Sequence, residues 1–359
     1  MSRPSPVRVV GGLATGVVAF VLLRGVLGVA GGAGAALGVA ALAAWRFPRA
    51  ALVRVLWSLP LFLLLVFVSV QLMFRVPGDP FASEKLADKA VLERQRDLYG
   101  IPAKSFAGGC EFYGAYLRRL VVDGEMGPCL KVQGRSVKEV LLPALPVSVS
   151  LGLCALTIAC GLGLFLGVRA GLRPNTFRDY SSMGFAIVGV SLPSFVIGSL
   201  LILVFALGRP FDWFPAAGWG SVSRLVLPSV ALALPYAAYI ARLARSGTVE
   251  VMGQDFVRTA RAKGLTEREV VLKHALRGAI VPVVSFLGPA AAGIVTGSFV
   301  IETLFGIPGM GQWFVRGAVN RDYYVVLGTV LLESGIVILF NLLVDLALPW
   351  IDPRLRGRS

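Results

Sequence analysis

An all-α bundle of membrane-spanning helices is the fold that this sequence predicts, on three observations. The 359 residues are 56% hydrophobic and only 15% charged, with a mean hydropathy of +0.77. Soluble proteins carry roughly 25% charged residues. Apolar runs of about 20 residues, the length that a bilayer core requires, recur along the chain. The bases, 35 Lys and Arg against 20 Asp and Glu for a net charge of +15, sit between those runs and not on one polar face. That distribution reads as positive cytoplasmic loops and excludes a nucleic-acid partner.

The first apolar stretch, Val7 to Trp45, is interrupted by Arg24 and a glycine cluster at Gly28–Gly34. Its length admits one tilted helix or two short ones. Arg3 and Arg8 precede it, and Arg46, Arg49 and Arg54 follow it. Bases at both flanks favour a hairpin, which makes residues 1–49 an additional N-terminal transmembrane segment. It is too long for the apolar region of a cleaved signal peptide.

Six core spans follow, at about 55–74, 143–168, 183–208, 225–243, 279–301 and 325–350. Pro146, Pro193, Pro228 and Pro235 fall inside them, where kinks are expected. Residues 169–180 carry Arg169, Arg173 and Arg178, residues 242–277 carry eight bases, and the tail carries Arg354, Arg356 and Arg358. These alternate with 209–224 and 302–324, with two bases each, so the first set is cytoplasmic.

Residues 75–142 then lie outside, as a mixed-charge segment with two amphipathic helices, Glu84–Tyr99 and Glu111–Val122. They form a small extracytoplasmic helical cap within a transmembrane domain of residues 50–359. Cys110 and Cys129 both fall in this cap, where disulfides persist, and a bridge between them is expected. Cys154 and Cys160 read as small buried hydrophobes inside a span. With one histidine and no CxxC spacing, no metal site is predicted.

The most informative segment is cytoplasmic, residues 242–278, with Gln254–Arg277 at its centre. It reads as helix, break, helix. The first helix runs from about Val249 to Lys263, kept slim by Thr259, Ala260 and Ala262. Gly264 falls where a left-handed C-cap is wanted. Thr266 opens a capping box with Glu269, and Glu269 pairs with Lys273 one turn on. Such a helix can lie on anionic lipid. It can equally be a rigid lever seated in a partner's groove.

This segment resembles the cytoplasmic "EAA" loop of binding-protein-dependent ABC importer permeases. The family pattern is Glu-Ala-Ala, three residues, Gly, nine residues, Ile-x-Leu-Pro. Anchored on Gly264, the chain has Arg258-Thr259-Ala260 for Glu-Ala-Ala, then His274, Leu276 and Arg277 for Ile, Leu and Pro. These departures are similar to the form of the peptide-permease branch, specifically its B-type subunit. The stretches Pro77–Phe81, Gly189–Phe195, Val300–Gly311, Asn320–Tyr323 and Ile351–Arg354 point to the same branch, and the resemblance spans about 50–358.

The resemblance implies a multi-pass protein of the bacterial inner membrane that moves oligopeptides. Its partners would be a second permease subunit, two ATP-binding-cassette ATPase subunits and an extracytoplasmic peptide-binding protein. Arg258, Thr259, Ala260, Arg261, Lys263, Gly264, Thr266, Glu269 and Leu276 would form the loop that docks on an ATPase. The chain contains no GxxxxGK[ST] phosphate cradle. No cofactor is therefore expected on it, and ATP with its magnesium belongs to the ATPase partners. It is not expected to be an enzyme, and no catalytic residue is assigned.

Glu333, inside the last span, is a candidate for the substrate path, because intramembrane acids are costly without a role. Asp345 would pair with a loop arginine, while Glu302 and Asp322 would sit solvated at the outer mouth. Trp213, Phe214 and Trp219 read as an interfacial belt. The same architecture could serve dipeptides, nickel complexes or glutathione. An ion-coupled secondary transporter would need inverted repeats and gives the 254–277 loop no role. An intramembrane enzyme is left without a base, since His274 lies in the loop.

Overall fold

The computed structural model describes residues 49–81, 89–207 and 213–351. The expected N-terminal hairpin, the start of the helix expected at Glu84 and the basic tail lie outside these residues. Among the described residues the protein is helical, and the one pairing of extended backbone is an isolated bridge, Pro128 to Ser136. Among the described residues five helices are long and apolar enough to cross a bilayer, and a bent pair of shorter helices passes the same test only when taken together. The chain divides into two compact units, Met1–Pro146 with Gly309–Ile338, and Val147–Pro308 with Leu339–Ser359.

The first unit holds α1 (Arg49–Arg75), α2 (Lys89–Tyr99), α3 (Phe106–Arg118), the start of α4 (Val137–Gly171), α10 (Met310–Asn320) and the start of α11 (Tyr323–Ile351). The second cap helix begins five residues earlier than the sequence suggests. Ser105 is its N-cap, accepting the Gly108 N–H at 2.9 Å, and this outweighs the low helix propensity of Gly108 and Gly109. An aromatic cluster ties the cap to α1 and α11. Phe74 lies 5.5 Å from both Phe112 and Tyr323, and Phe112 lies 5.2 Å from Tyr324.

Polar pins complete this unit. Tyr324 donates its hydroxyl to the Tyr99 carbonyl at 2.8 Å, and Arg96 pairs with Asp79. Asp322 is not solvated as the sequence suggested. It is 3% exposed and accepts the backbone N–H groups of Leu130 at 2.8 Å and Lys131 at 3.2 Å. The loop folds over this carboxylate because those two amides would otherwise be buried without an acceptor.

The expected Cys110–Cys129 bridge does not form, and both thiols are free. Cys110 is exposed on α3, where it accepts from the Gln71 amide at 3.5 Å. Cys129 is buried beside Asp322. Burial first, then the Asp322 charge, pushes its thiol up to about 12.

The second unit holds the rest of α4, α5 (Phe177–Ser191), α6 (Ser194–Phe205), α7 (Val222–Met252), α8 (Asp255–Ala262), α9 (Glu267–Leu304) and the end of α11. The span expected at 183–208 is the bent pair, with α5 and α6 meeting at 107°. Leu192 is extended, as a residue before proline prefers, and Pro193 offers no N–H to continue the ladder. Pro146, Pro228 and Pro235 instead lie within continuous helices. Glu302 is fully buried in α9, another departure from the solvated reading. Cys154 and Cys160 are half-buried.

Gly163, Gly167 and Gly171 place a glycine on one face of α4 at every fourth residue. A Cβ on Gly163 would stand 2.7 Å from the Ala237 carbonyl oxygen, and one on Gly171 would stand 2.8 Å from that of Arg245. One on Gly167 would stand 2.7 Å from Ala244 Cβ. The backbones of α4 and α7 therefore touch, a contact that only side-chain-free positions allow.

Candidate functional site

The site grows out of the end of α7. Gly253 caps that helix, Gln254 turns the chain into extended backbone, and α8 begins at Asp255. The helix expected from Val249 to Lys263 is thus two helices separated by a two-residue turn, because Gly253 stops the first. Within α8, Asp255 lies at the N-terminal end and Arg261 in the last turn, each favourable to the helix dipole.

The break that follows is built as the sequence suggests. Gly264 has φ +80°, the left-handed conformation that glycine adopts without strain. Its N–H donates to the Arg261 carbonyl at 2.9 Å, and the Leu265 N–H donates to the Ala260 carbonyl at 3.4 Å. Together these form the paired-bond C-terminal motif, with Leu265 packed beneath it. Thr266 then caps the next helix reciprocally with Glu269: Glu269 N–H to Thr266 Oγ at 3.3 Å, Thr266 N–H to Glu269 Oε2 at 3.2 Å. Lys273 meets Glu269 at 3.2 Å.

Two features of this elbow were not legible as sites in the sequence. Arg261 reaches across the break to Glu267, with Nε to Oε1 at 2.7 Å and Nη2 to Oε2 at 3.3 Å. A π-helical turn, Val270–Ala275, leads into the long remainder of α9, Leu276–Leu304. Val257, Ala260 and Val270 form a small core inside the elbow, with Met252 and Leu265 against it. Ala260 therefore faces inward, whereas Arg258, Thr259, Arg261, Ala262, Lys263 and Thr266 are exposed. Leu276 is half-buried at the head of that remainder.

Phe256 stands out on the outer face, 42% exposed among those cations. Its spacing hid this, since 256 is one turn before the buried 260 and reads as part of the inward stripe. The other predicted site residue, Glu333, is half-buried on α11 in the first unit and does not belong to the elbow. Asp345 is half-buried near the end of α11, and Arg245 pairs with Asp179. Among the described residues no cluster of His, Cys, Asp or Glu could hold a metal ion.

A multi-span helical membrane protein with a stiff, bent, cation-bearing elbow between two of its spans is the class that fold and site define. Residues 163–357 match the family described as the binding-protein-dependent transport system inner membrane component. The oligopeptide transport system permease protein OppB of Haemophilus influenzae is 42% identical over 305 residues, covering 84% of this chain and 97% of that protein. OppB of Salmonella typhimurium matches to the same extent. The dipeptide transport system permease protein DppB of Bacillus subtilis is 43% identical over 285 residues, covering 79% and 90%. The chain belongs to the family of binding-protein-dependent transport system inner membrane components. It is a permease subunit of an ABC importer, which sets aside the ion-coupled carrier and the intramembrane enzyme.

Proposed function

We propose that the chain is the translocating subunit of an importer for peptides, with ATP and magnesium held by two separate ATPase subunits. A second permease subunit would complete the path, and a binding protein would deliver cargo on the face formed by the 75–142 cap. Peptide cargo is the reading favoured by the relatives, whose names specify oligopeptides and dipeptides. Dipeptides, nickel complexes and glutathione fit the same architecture, and dipeptides are named by a relative.

The elbow carries the reading. Its angle is set internally, by the left-handed Gly264, the reciprocal Thr266–Glu269 cap and the Arg261–Glu267 bridge, before any partner is present. A preformed shape loses little entropy on docking. Its exposed surface offers one apolar anchor, Phe256, with Lys263 on the same side of the helix and Arg258 and Arg261 exposed on its other sides, which suits an apolar pocket with acidic groups about it. Arg258 and Asp255 approach only to 3.7 Å and are highly exposed, so that pair leaves the arginine available.

The test uses the intact complex, purified with its partner permease and ATPase subunits. Phe256→Asp should reduce co-purification of the ATPases and abolish peptide uptake while the chain remains in the membrane. A cysteine at Thr259 should crosslink to an ATPase subunit. Unchanged ATPase retention in Phe256→Asp, with no crosslink from position 259, would overturn the docking assignment.

A further inference from the structure

The ion pair between Asp179 and Arg245 is the strongest feature that the elbow does not absorb. Arg245 lies on α7 about two turns before Gly253, or roughly 11 Å of helix. Its Nε meets Asp179 Oδ1 at 2.5 Å and its Nη2 meets Oδ2 at 2.7 Å. Asp179 sits in the first turn of α5 and its side chain is 2% exposed. Oδ2 also accepts the Asn175 N–H at 2.9 Å, from a residue at φ +62° in the α4–α5 turn. One carboxylate thus fastens the turn, the head of α5 and the shaft of α7. An acid placed only to favour a helix dipole needs no half-buried, two-bonded arginine from another helix.

The other end of α5 is built in the opposite way. Thirteen residues on from Asp179, about 20 Å of helix, the chain breaks at Leu192-Pro193 and turns 107° into α6. The inside of that bend is a cavity of about 240 Å³, lined only by apolar groups that include Val188, Leu192, Ile197, Phe205 and Leu234. This pocket is open on one side, with Val188 exposed at its edge, and it leaves α6 space on the inner face of the bend. So α5 is a rod fastened to α7 by an ion pair at one end and jointed to α6 at the other, where Gly189 rests against Ala238 of α7.

We propose that Asp179 and Arg245 are positioning residues for transport: they transfer the tilt imposed on α8 and α7 to α5, where it emerges as movement of α6 about Pro193. This rests on the reading of the elbow as the ATPase-docking site. Neither residue touches cargo or nucleotide. Their effect falls on how much cargo moves for each ATP consumed.

The experiment measures peptide uptake and ATP hydrolysis together, in the reconstituted complex with its partner subunits. Asp179→Asn and Arg245→Lys should leave complex assembly and ATP hydrolysis within about twofold of wild type. Uptake per ATP should fall by at least about tenfold, the scale of losing one charge-assisted hydrogen bond from the transmission step. The exchanged pair, Asp179→Arg with Arg245→Asp, should recover a substantial part of the ratio. If assembly, hydrolysis and uptake fall together with their ratio unchanged, the pair serves stability alone and the proposal is overturned. Additive single effects with no recovery in the exchanged pair would also overturn it. Should Asp179→Asn fail to accumulate, Arg245→Lys, which keeps the charge but loses the two-bonded geometry, gives the same reading. ATPase retention in Phe256→Asp separates the two proposals, because it reports on docking alone.

Discussion

Substitution at Gly264 offers the sharpest test of the elbow, because the structure isolates a single cause. Gly264 has φ +80°, and a Cβ built there would meet nothing within 4 Å. A side chain therefore clashes with no neighbour, and its penalty is purely that of the backbone. That penalty is about 1–2 kcal/mol for an L-residue in the left-handed region, largest for β-branched types and least for asparagine. Against it stand the two cap bonds at 2.9 and 3.4 Å, worth about 1 kcal/mol each at most. The exposed Arg261–Glu267 bridge adds less than about 1 kcal/mol. The opposing quantities are comparable, so the bent form should lose population by roughly 5- to 30-fold in Gly264→Val. Uptake and membrane level should be measured in parallel. The expected order is glycine, then asparagine, then alanine, then valine, at unchanged membrane level. A steric cause would instead follow side-chain volume and place alanine above asparagine. That order, or wild-type uptake in Gly264→Val, would refute the reasoning.

Further outcomes follow from other parts of the fold. A membrane-impermeant maleimide should label exposed Cys110 quickly, while Cys129, buried with its thiol raised to about 12, should react only after denaturation; equal labelling in the native protein would contradict the packing around Asp322. Burial also raises the Asp322 carboxyl above its ordinary value, against the opposing N–H groups of Val325, Lys131 and Leu130. The folded state then holds the proton more firmly than the unfolded chain, so stability is lost as pH rises through the folded value. Mild acidification should raise the melting midpoint of wild type relative to Asp322→Asn, and a difference flat with pH would count against this. Gly167→Leu should force α4 from α7 and cost about 1–3 kcal/mol or more, read as a lowered melting midpoint in detergent; a neutral result would show that the two backbones are not in contact.

How much was legible depended on the range of the interaction. Span positions, the Gly264 cap, the Thr266–Glu269 box and the Glu269–Lys273 pair are local and periodic, and each could be read from residues four or fewer apart. The 107° break at Pro193 was only half legible: proline predicted a kink, but an α5 too short to cross alone depends on what packs beside it. The bridge from Arg261 to Glu267 spans six residues across a turn, beyond any helical spacing rule. Asp322 was misread as solvated because its donors, Leu130 and Lys131, are nearly two hundred residues distant. The disulfide was inferred from compartment and proximity in sequence, neither of which sets side-chain direction. The glycine face at 163, 167 and 171 is a spacing signal, yet its meaning lies in the α7 backbone it meets.

The second unit distributes stiffness unevenly, and the pattern has a mechanical logic. Around α7 the contacts are of kinds that tolerate little sliding: backbone against backbone at Gly163, Gly167 and Gly171, and a two-bonded ion pair at Asp179. Gly247 adds another close approach, since a Cβ there would stand 2.8 Å from the Ala279 carbonyl oxygen of α9. The joint at Leu192-Pro193 turns the chain by 107°, with an apolar pocket of about 240 Å³ inside the bend. On the proposal above, a force applied at α8 is carried through the contacts of α7 to that joint. Filling the void tests this directly. Val188→Phe or Leu234→Phe adds bulk without touching the ion pair or the elbow, and should lower uptake while docking and ATP hydrolysis persist. If uptake survives a filled bend, the motion leaves α7 by another route.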